Sequence, residues 1–185
     1  MLSCRCWVNR DGRRSKDFNM LSFQQAKEIA EKTIQDWPDI FDDTLIIIDR
    51  EIIETPYAWI FPYTSKRWLE GDDNYAILGN APLFIAKQDG RISTFSTAFS
   101  VDKMIDEYEE KNRCWCLKLT TDIYSETKKL LTLKNILEAT QNEILELKTK
   151  GSLVVDSGAK RRLERLADLL KKHGIDNEII PTDVI

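Results

Sequence analysis

The sequence predicts an α+β protein in which an antiparallel sheet with two helices is followed by a small β-α-α-β-α-β domain. Three observations lead to this prediction. Apolar residues recur at helical spacing in capped stretches, runs of β-branched and aromatic residues lie between them, and the local charge changes sign along the chain. The order helix, four strands, helix in the first half is typical of α+β domains.

The first half contains two predicted helices and four predicted strands. Ser22 to Gln25 has the Ser-x-x-Gln form of a capping box, and helical spacing continues to Pro38, which predicts a helix over 22–36. Ser100 is the predicted N-cap of the second helix, which runs through Tyr108. We expect both helices to cover one face of the sheet. Its strands are predicted at 45–54, 57–63, 82–86 and 92–99, the last two forming a hairpin at Gln88–Gly90.

The second half begins with an alternating strand at 115–120. A helical stripe runs over 130–137, and Thr140 and Glu143 form a capping box for a shorter helix that ends at Gly151. A strand at 152–155, a helix with core positions over 163–170 and a final strand at 175–180 complete the unit. Gly174 is the expected C-cap of the last helix.

Length and charge predict two domains. A chain of 185 residues suffices for one medium domain or two small ones. Residues 36–73 carry ten acids and three bases, a local balance of −7, whereas residues 128–172 carry eleven bases and six acids, a balance of +5. Opposite signs indicate modules with separate electrostatic tasks. We expect an N-terminal segment at 1–18, a first domain at 19–112 and a second at 113–185.

Composition excludes several classes of protein. The chain is 42% hydrophobic and 31% charged, as in ordinary soluble domains. Its apolar runs fall far short of the roughly 20 residues that a membrane-spanning helix needs. The first 18 residues hold five bases but lack the apolar region of a secretory signal, so a cytoplasmic location is expected. The net charge of −4 disfavours nucleic acid as a partner, and no membrane partner is expected.

The sequence lacks most of the motifs that would indicate an active site. His173 is the only histidine, and its place in a Lys-Lys-His-Gly run favours a solvated cap residue over a catalytic base. Nucleotide-binding loops, nucleophile elbows and metalloprotease helices do not occur. The pairs Asp42-Asp43 and Asp72-Asp73 are weak candidates for magnesium ligands or a carboxylate pair, and Ser65-Lys66 is a weak nucleophile dyad. We therefore expect no enzymatic activity and no cofactor.

The four cysteines form two Cys-x-Cys pairs, Cys4 with Cys6 and Cys114 with Cys116. On a strand this spacing places both thiols of a pair on one face, and four convergent sulfurs would suit zinc. One intervening residue is short for a structural zinc site. The competing interpretation makes Cys114 and Cys116 small buried hydrophobic residues on a strand.

One region resembles a known family. Trp59-x-Phe61 is followed by a Ser-Lys-Arg-Trp-Leu-Glu-x-Asp run over 65–72, by Leu78-Gly79-Asn80-Ala81-Pro82, by Asp-Gly at 89–90, and by a helix ending in Tyr-Glu at 108–109. Together these motifs resemble immunity protein family 35, the YrhB-like group, over residues 19–111. From their residue type, Trp59, Phe61 and Trp68 are expected to fill the core.

The resemblance implies a bacterial protein that protects its producer by binding a cognate toxin, without catalysis. An acidic surface suits a toxin with a basic cleft, because opposite charges accelerate encounter and fix orientation. A merely solvated acidic face is the competing interpretation. Loops combine charge with exposure, so the predicted contact residues are Asp42, Asp43, Glu70, Asp72 and Asp73.

Residues 114–181 resemble the C-terminal domain of the bacterial ribosomal stalk protein in the order of their elements. The resemblance implies a second partner surface for a translation factor at Lys129, Leu133, Lys134 and Lys148. Leu137 stands where that domain has an arginine. The alternative function is therefore a housekeeping protein, either chaperone-like or docking translation factors through the basic second domain.

Overall fold

The computed structural model describes residues 20–37 and 43–182. The chain divides into two compact units. The first contains the described residues up to Ile77 together with Leu83–Ser93, and the second contains Leu78–Pro82 together with the described residues from Thr94 onwards. Helices and antiparallel sheets make up both units, which confirms the predicted α+β class.

The described part of the first unit has two helices, six short strands and two 3₁₀ turns, at Asp49–Glu51 and Asp73–Tyr75. Ser22 caps the first helix, and both hydrogen bonds of the predicted capping box are present. All strand pairs are antiparallel: β1 pairs with β4, and the order β2-β3-β5-β6 forms a second sheet. The elements are α1 (Phe23–Gln35), β1 (Leu45–Ile47), β2 (Ile53–Glu54), β3 (Ala58–Phe61), β4 (Tyr63–Ser65), α2 (Lys66–Leu69), β5 (Leu83–Ala86) and β6 (Ile92–Ser93).

Two predicted strands are each divided between sheets. The 45–54 strand is interrupted by the 3₁₀ turn at Asp49–Glu51, and the 57–63 strand is interrupted at Pro62. Proline has no N–H to donate to a ladder, and the carbonyl of Pro62 accepts from the N–H of Ile48 at 2.9 Å. The chain therefore changes partner at both points. The predicted hairpin is confirmed, but β6 ends at Ser93 rather than at residue 99.

The core of the first unit lies between α1 and the strands. Ala26, Ala30 and Ile34 line one face of α1 and pack with buried side chains of β3 and β5. Phe61 is fully buried here, as predicted, and Trp59 packs against this core with its ring 5.0 Å from that of Phe23.

The second unit contains the predicted β-α-α-β-α-β order, preceded by the helix that follows Ser100. That helix was expected in the first domain, and the domain boundaries remain predictions. Strand β7 is central, and β8 and β9 pair antiparallel on either side of it. The elements are α3 (Val101–Asn112), β7 (Trp115–Leu119), α4 (Thr127–Ile136), α5 (Gln141–Lys150), β8 (Val154–Gly158), α6 (Lys160–Lys172) and β9 (Asn177–Pro181).

Leucine and isoleucine side chains from the sheet and three helices form the core of the second unit. Leu117, Leu163 and Leu170 are fully buried, and α6 packs across all three strands. Thr140 and Glu143 form the predicted capping box of α5, and Gly151 ends it in the left-handed region. These local signals were sufficient to place the helix correctly.

Helix α3 is joined to the start of α6 by two adjacent carboxylates. Glu109 accepts a hydrogen bond from the N–H of Lys160 at 2.8 Å, and Glu110 accepts one from the N–H of Ala159 at 2.8 Å. Glu109 also accepts from the indole of Trp115 at 2.7 Å, and Arg162 donates to Glu110 at 3.0 Å. Since the N-cap residue Ala159 has no side-chain cap, α3 supplies the acceptors that the first turn of α6 needs.

Candidate functional site

Three of the five predicted contact acids lie in one ten-residue stretch of the first unit. Glu70, Asp72 and Asp73 belong to segment 66–75, which comprises α2, a turn and the 3₁₀ turn at Asp73–Tyr75. Asp43 contacts the beginning of this segment, and Asp42 lies outside the described residues. The fold thus brings together the four predicted acids that it describes.

The beginning of segment 66–75 is held by Ser65 and Asp43. Ser65 is the N-cap of α2, and its hydroxyl accepts a hydrogen bond from the N–H of Trp68 at 3.1 Å. The same hydroxyl donates to the Asp43 carboxylate, which also accepts from the N–H of Arg67 at 3.1 Å. The hydrogen bond from Ser65 holds the pKa of Asp43 below its ordinary value. Asp43 therefore acts as a charged cap for a short helix.

The end of segment 66–75 is held by Arg67 and Asp72. The guanidinium of Arg67 lies 4.6 Å from the centre of the Tyr75 ring and donates to the Tyr75 hydroxyl. The Asp72 carboxylate accepts from the N–H of Asn74 at 3.1 Å and from its side-chain amide at 2.9 Å. These contacts close the segment on itself, so its backbone is fixed although it lies at the surface.

The side chains that segment 66–75 presents to solvent are partly apolar. Trp68 is 39% exposed and Leu69 is 46% exposed, so the prediction that Trp68 fills the core is wrong. The reason is that α2 has only four residues and no buried position. Glu70 and Asp73 are exposed beside them, with Glu70 3.9 Å from Lys66. A Trp-Leu pair within a charged run was the signal for an exposed apolar surface.

The second predicted surface lies on α4 and α5. Lys148 is exposed, Lys134 is partly exposed, and Lys129 forms an ion pair with Glu126 at 3.0 Å. Leu133, by contrast, is fully buried in the core of the second unit because it faces α6 and the sheet. Its side chain is not available at a surface of the folded unit, which corrects its assignment as a contact residue.

In the described part of the chain, metal-ligating side chains are not clustered. Within 20–37 and 43–182, no three or more His, Cys, Asp or Glu side chains are grouped as metal ligands would be. Cys114 and Cys116 are buried, Cys116 within β7, as the competing interpretation of the cysteines requires. Cys4 and Cys6 lie outside the described residues, so the alternative of a four-cysteine zinc site is not tested. His173 is exposed at the C-cap of α6.

None of the helices in the described part of the chain has the length and hydropathy needed to cross a bilayer.

A fixed surface segment that carries an exposed tryptophan beside carboxylates is typical of proteins that act by binding another protein. Residues 24–109 match the family described as Immunity protein 35. This match confirms the resemblance predicted for residues 19–111, and it includes segment 66–75 and most of α3.

The chain is also similar to the uncharacterised protein YrhB of Escherichia coli strain K12. The two are 34% identical over 55 residues, which is 29% of this chain and 58% of YrhB. The match thus spans little more than half of that relative. No solved structure matches the chain, and no comparison supports the resemblance of residues 114–181 to the ribosomal stalk domain.

Proposed function

We propose that this protein is a bacterial, cytoplasmic immunity protein that neutralises a cognate polymorphic toxin by stoichiometric binding and occlusion of the toxin's active cleft. The observation that carries the proposal is the match of residues 24–109 to Immunity protein 35. Inhibition by occlusion needs only a complementary surface, so the proposal assigns no catalytic step and no cofactor to this chain.

The acids of the first unit support an electrostatic part for the interface. Residues 36–73 carry a local balance of −7, and a basic toxin cleft approaches such a surface faster than a neutral one. We assign the predicted acids two roles. Glu70 and Asp73 are exposed and contact the toxin, whereas Asp43 and Asp72 hold the segment through the hydrogen bonds described above. Asp42 remains a proposed contact.

The proposal is tested by titrating the full chain into its proposed cognate toxin and measuring residual toxin activity. Occlusion predicts that activity falls linearly to an end point at one chain per toxin. Complete protection by far fewer chains than toxin molecules would indicate catalytic inactivation instead. Protection at no ratio, with no complex by gel filtration, would contradict the proposed function.

The acidic contacts are tested by the double charge reversal Glu70→Lys with Asp73→Lys. We expect the association rate to fall about tenfold at low salt, and the loss to shrink as salt screens the charges. The matched control is Glu164→Lys with Asp168→Lys on the exposed face of α6, which changes the net charge equally. Equal losses in both variants would show that only overall charge matters and would remove Glu70 and Asp73 from the interface.

A further inference from the structure

We infer that Trp68, together with Leu69, is the apolar anchor of the toxin interface, with Glu70 and Asp73 as its acidic rim. The inference rests on the proposed function and deepens it, because it states the chemistry of the partner. The partner surface that would fit this anchor is a pocket on a protein, lined by apolar groups and bordered by lysine or arginine. Three features of the molecule support the inference: the exposure of Trp68, the hydrogen bonds that hold its backbone, and the kinds of residue around it.

Trp68 differs from the other tryptophans that the structure describes. Trp37 packs edge-on against Tyr63 at 5.1 Å, Trp59 packs against Phe23 at 5.0 Å, and the indole of Trp115 donates to Glu109. Trp68 alone among these four is more than a third exposed. A large aromatic surface left in water has no benefit for folding, but it supplies binding energy when a partner covers it.

The backbone that carries Trp68 is held by hydrogen bonds within the chain itself. The N–H of Trp68 donates to Ser65, the N–H of Arg67 donates to Asp43, and Arg67 is bound to Tyr75. Rigid presentation reduces the conformational entropy lost on binding, so more of the contact energy appears as affinity. A segment with this many internal bonds is therefore suited to hold an anchor residue in place.

The composition of segment 66–75 matches that of energetically dominant interface residues. Tryptophan, tyrosine and arginine are the residue types most enriched at such positions, and Trp68, Tyr75 and Arg67 lie together here. Glu70 forms an ion pair with Lys66 at 3.9 Å, whereas Asp72 and Asp73 pair with neither Lys66 nor Arg67. The rim is therefore acidic, which commits the partner to a basic border.

The test compares Trp68→Ala with Leu169→Ala in the full chain, using the catalytically inactivated toxin as the probe. Leu169 is a suitable control because it is a 44% exposed apolar residue on α6. We expect Trp68→Ala to weaken binding about 30-fold or more, mainly through faster dissociation, and Leu169→Ala to leave affinity unchanged. Trp68→Phe should recover part of the loss. Circular dichroism and thermal unfolding establish that each variant is folded.

The results distinguish failure of the Trp68 anchor from failure of the proposed function. If the unmodified chain binds the toxin and Trp68→Ala binds it equally well, the anchor is wrong while the proposed function stands. If the unmodified chain does not bind, the proposed function fails and the anchor fails with it. Sedimentation of the chain alone is the second measurement. A self-association that Trp68→Ala abolishes would overturn the inference, because a second copy of the chain would then be the occupant. The inference would also be overturned if deletion of residues 1–19 tightened toxin binding and Trp68→Ala had no effect on binding by the shortened chain.

Discussion

Segment 66–75 and the junction of α3 with α6 both contain a helix capped by a carboxylate, but the surroundings of the two carboxylates differ. In both, a carboxylate from a distant part of the chain accepts hydrogen bonds at the beginning of a helix. Asp43 does so for α2 in a partly exposed position, whereas Glu109, only 5% exposed, does so for α6 inside the second unit. Removal of an exposed charge costs little because water replaces it, while a buried donor left without an acceptor keeps its full desolvation penalty.

The comparison also separates binding from folding. The Asp43 cap positions side chains that a partner can reach, so we expect its loss to alter recognition more than stability. The buried carboxylate of Glu109 joins α3 to α6 within the second unit, so its loss alters stability first. Residues 24–109, which match the family, end within α3, a helix of the second unit. Because α3 is hydrogen-bonded to α6, the C-terminal residues have a structural role that the family match alone does not indicate.

The largest expected effect is that of Glu109→Ala. The substitution leaves the N–H of Lys160 and the indole of Trp115 without their acceptor, and we expect the free energy of unfolding to fall by about 3 kcal/mol. Urea unfolding measures the change. Glu107→Ala, which removes only a 3.7 Å ion pair with Lys103 on the same helix, is the control. Asp43→Ala is the comparator from the partly exposed cap, and a loss as large as that of Glu109→Ala would refute the contrast.

A smaller effect is expected at the glycine that enters this junction. Gly158 has a φ of 154°, and a Cβ there would lie 2.9 Å from the Cδ of Glu110 and closer still to its carboxylate oxygen. Gly158→Ala should therefore displace the carboxylate from the helix start, at a cost of about 2 kcal/mol. Gly151→Ala is the control because its φ is 60° and nothing lies within 4 Å. Thermal unfolding of both variants checks the prediction, which is wrong if the two melt at the same temperature.

The smallest effect concerns acid stability. Burial raises the pKa of Glu110, but hydrogen bonds from Ala159 and Arg162 outweigh it, so the pKa is lowered from the ordinary value of 4.5. A carboxyl with a lowered folded pKa contributes stability above its unfolded pKa and loses it as pH falls through the folded one. Glu110→Gln should thus flatten the decline of the unfolding free energy below pH 4.5. A decline as steep as that of the unmodified chain would contradict the assignment.

Local sequence signals predicted those parts of the fold whose cause is local. The capping boxes at Ser22 and Thr140 were placed correctly because both partners lie within one helical turn. The β5–β6 hairpin was predicted by its turn residues for the same reason. The strands at 45–54 and 57–63 were predicted as single elements, since apolar runs do not indicate where a strand changes sheets. That change required Pro62 and Ile48 to meet.

The sequence indicated acidic candidates but not the exposed apolar side chains beside them. Charge is visible in a sequence, so Asp42, Asp43, Glu70, Asp72 and Asp73 were predicted as contact residues, and they stay a prediction. The exposure of Trp68 was missed because a four-residue helix gives no periodicity from which a buried face can be inferred. Leu133 was assigned to a surface by the resemblance to the ribosomal stalk domain, whereas the helical stripe over 130–137 places it on the apolar face that α4 turns to the core.

The amino-acid sequence by itself determined the α+β class, the order of the elements in the second unit, the division of charge and the family resemblance, because each depends on residue type and near spacing. Only the tertiary structure decided that α3 lies in the second unit and that its carboxylates complete α6, which begins without a cap of its own. Glu109 and Lys160 are 51 positions apart, and pairing over that distance is chosen by packing rather than by local preference.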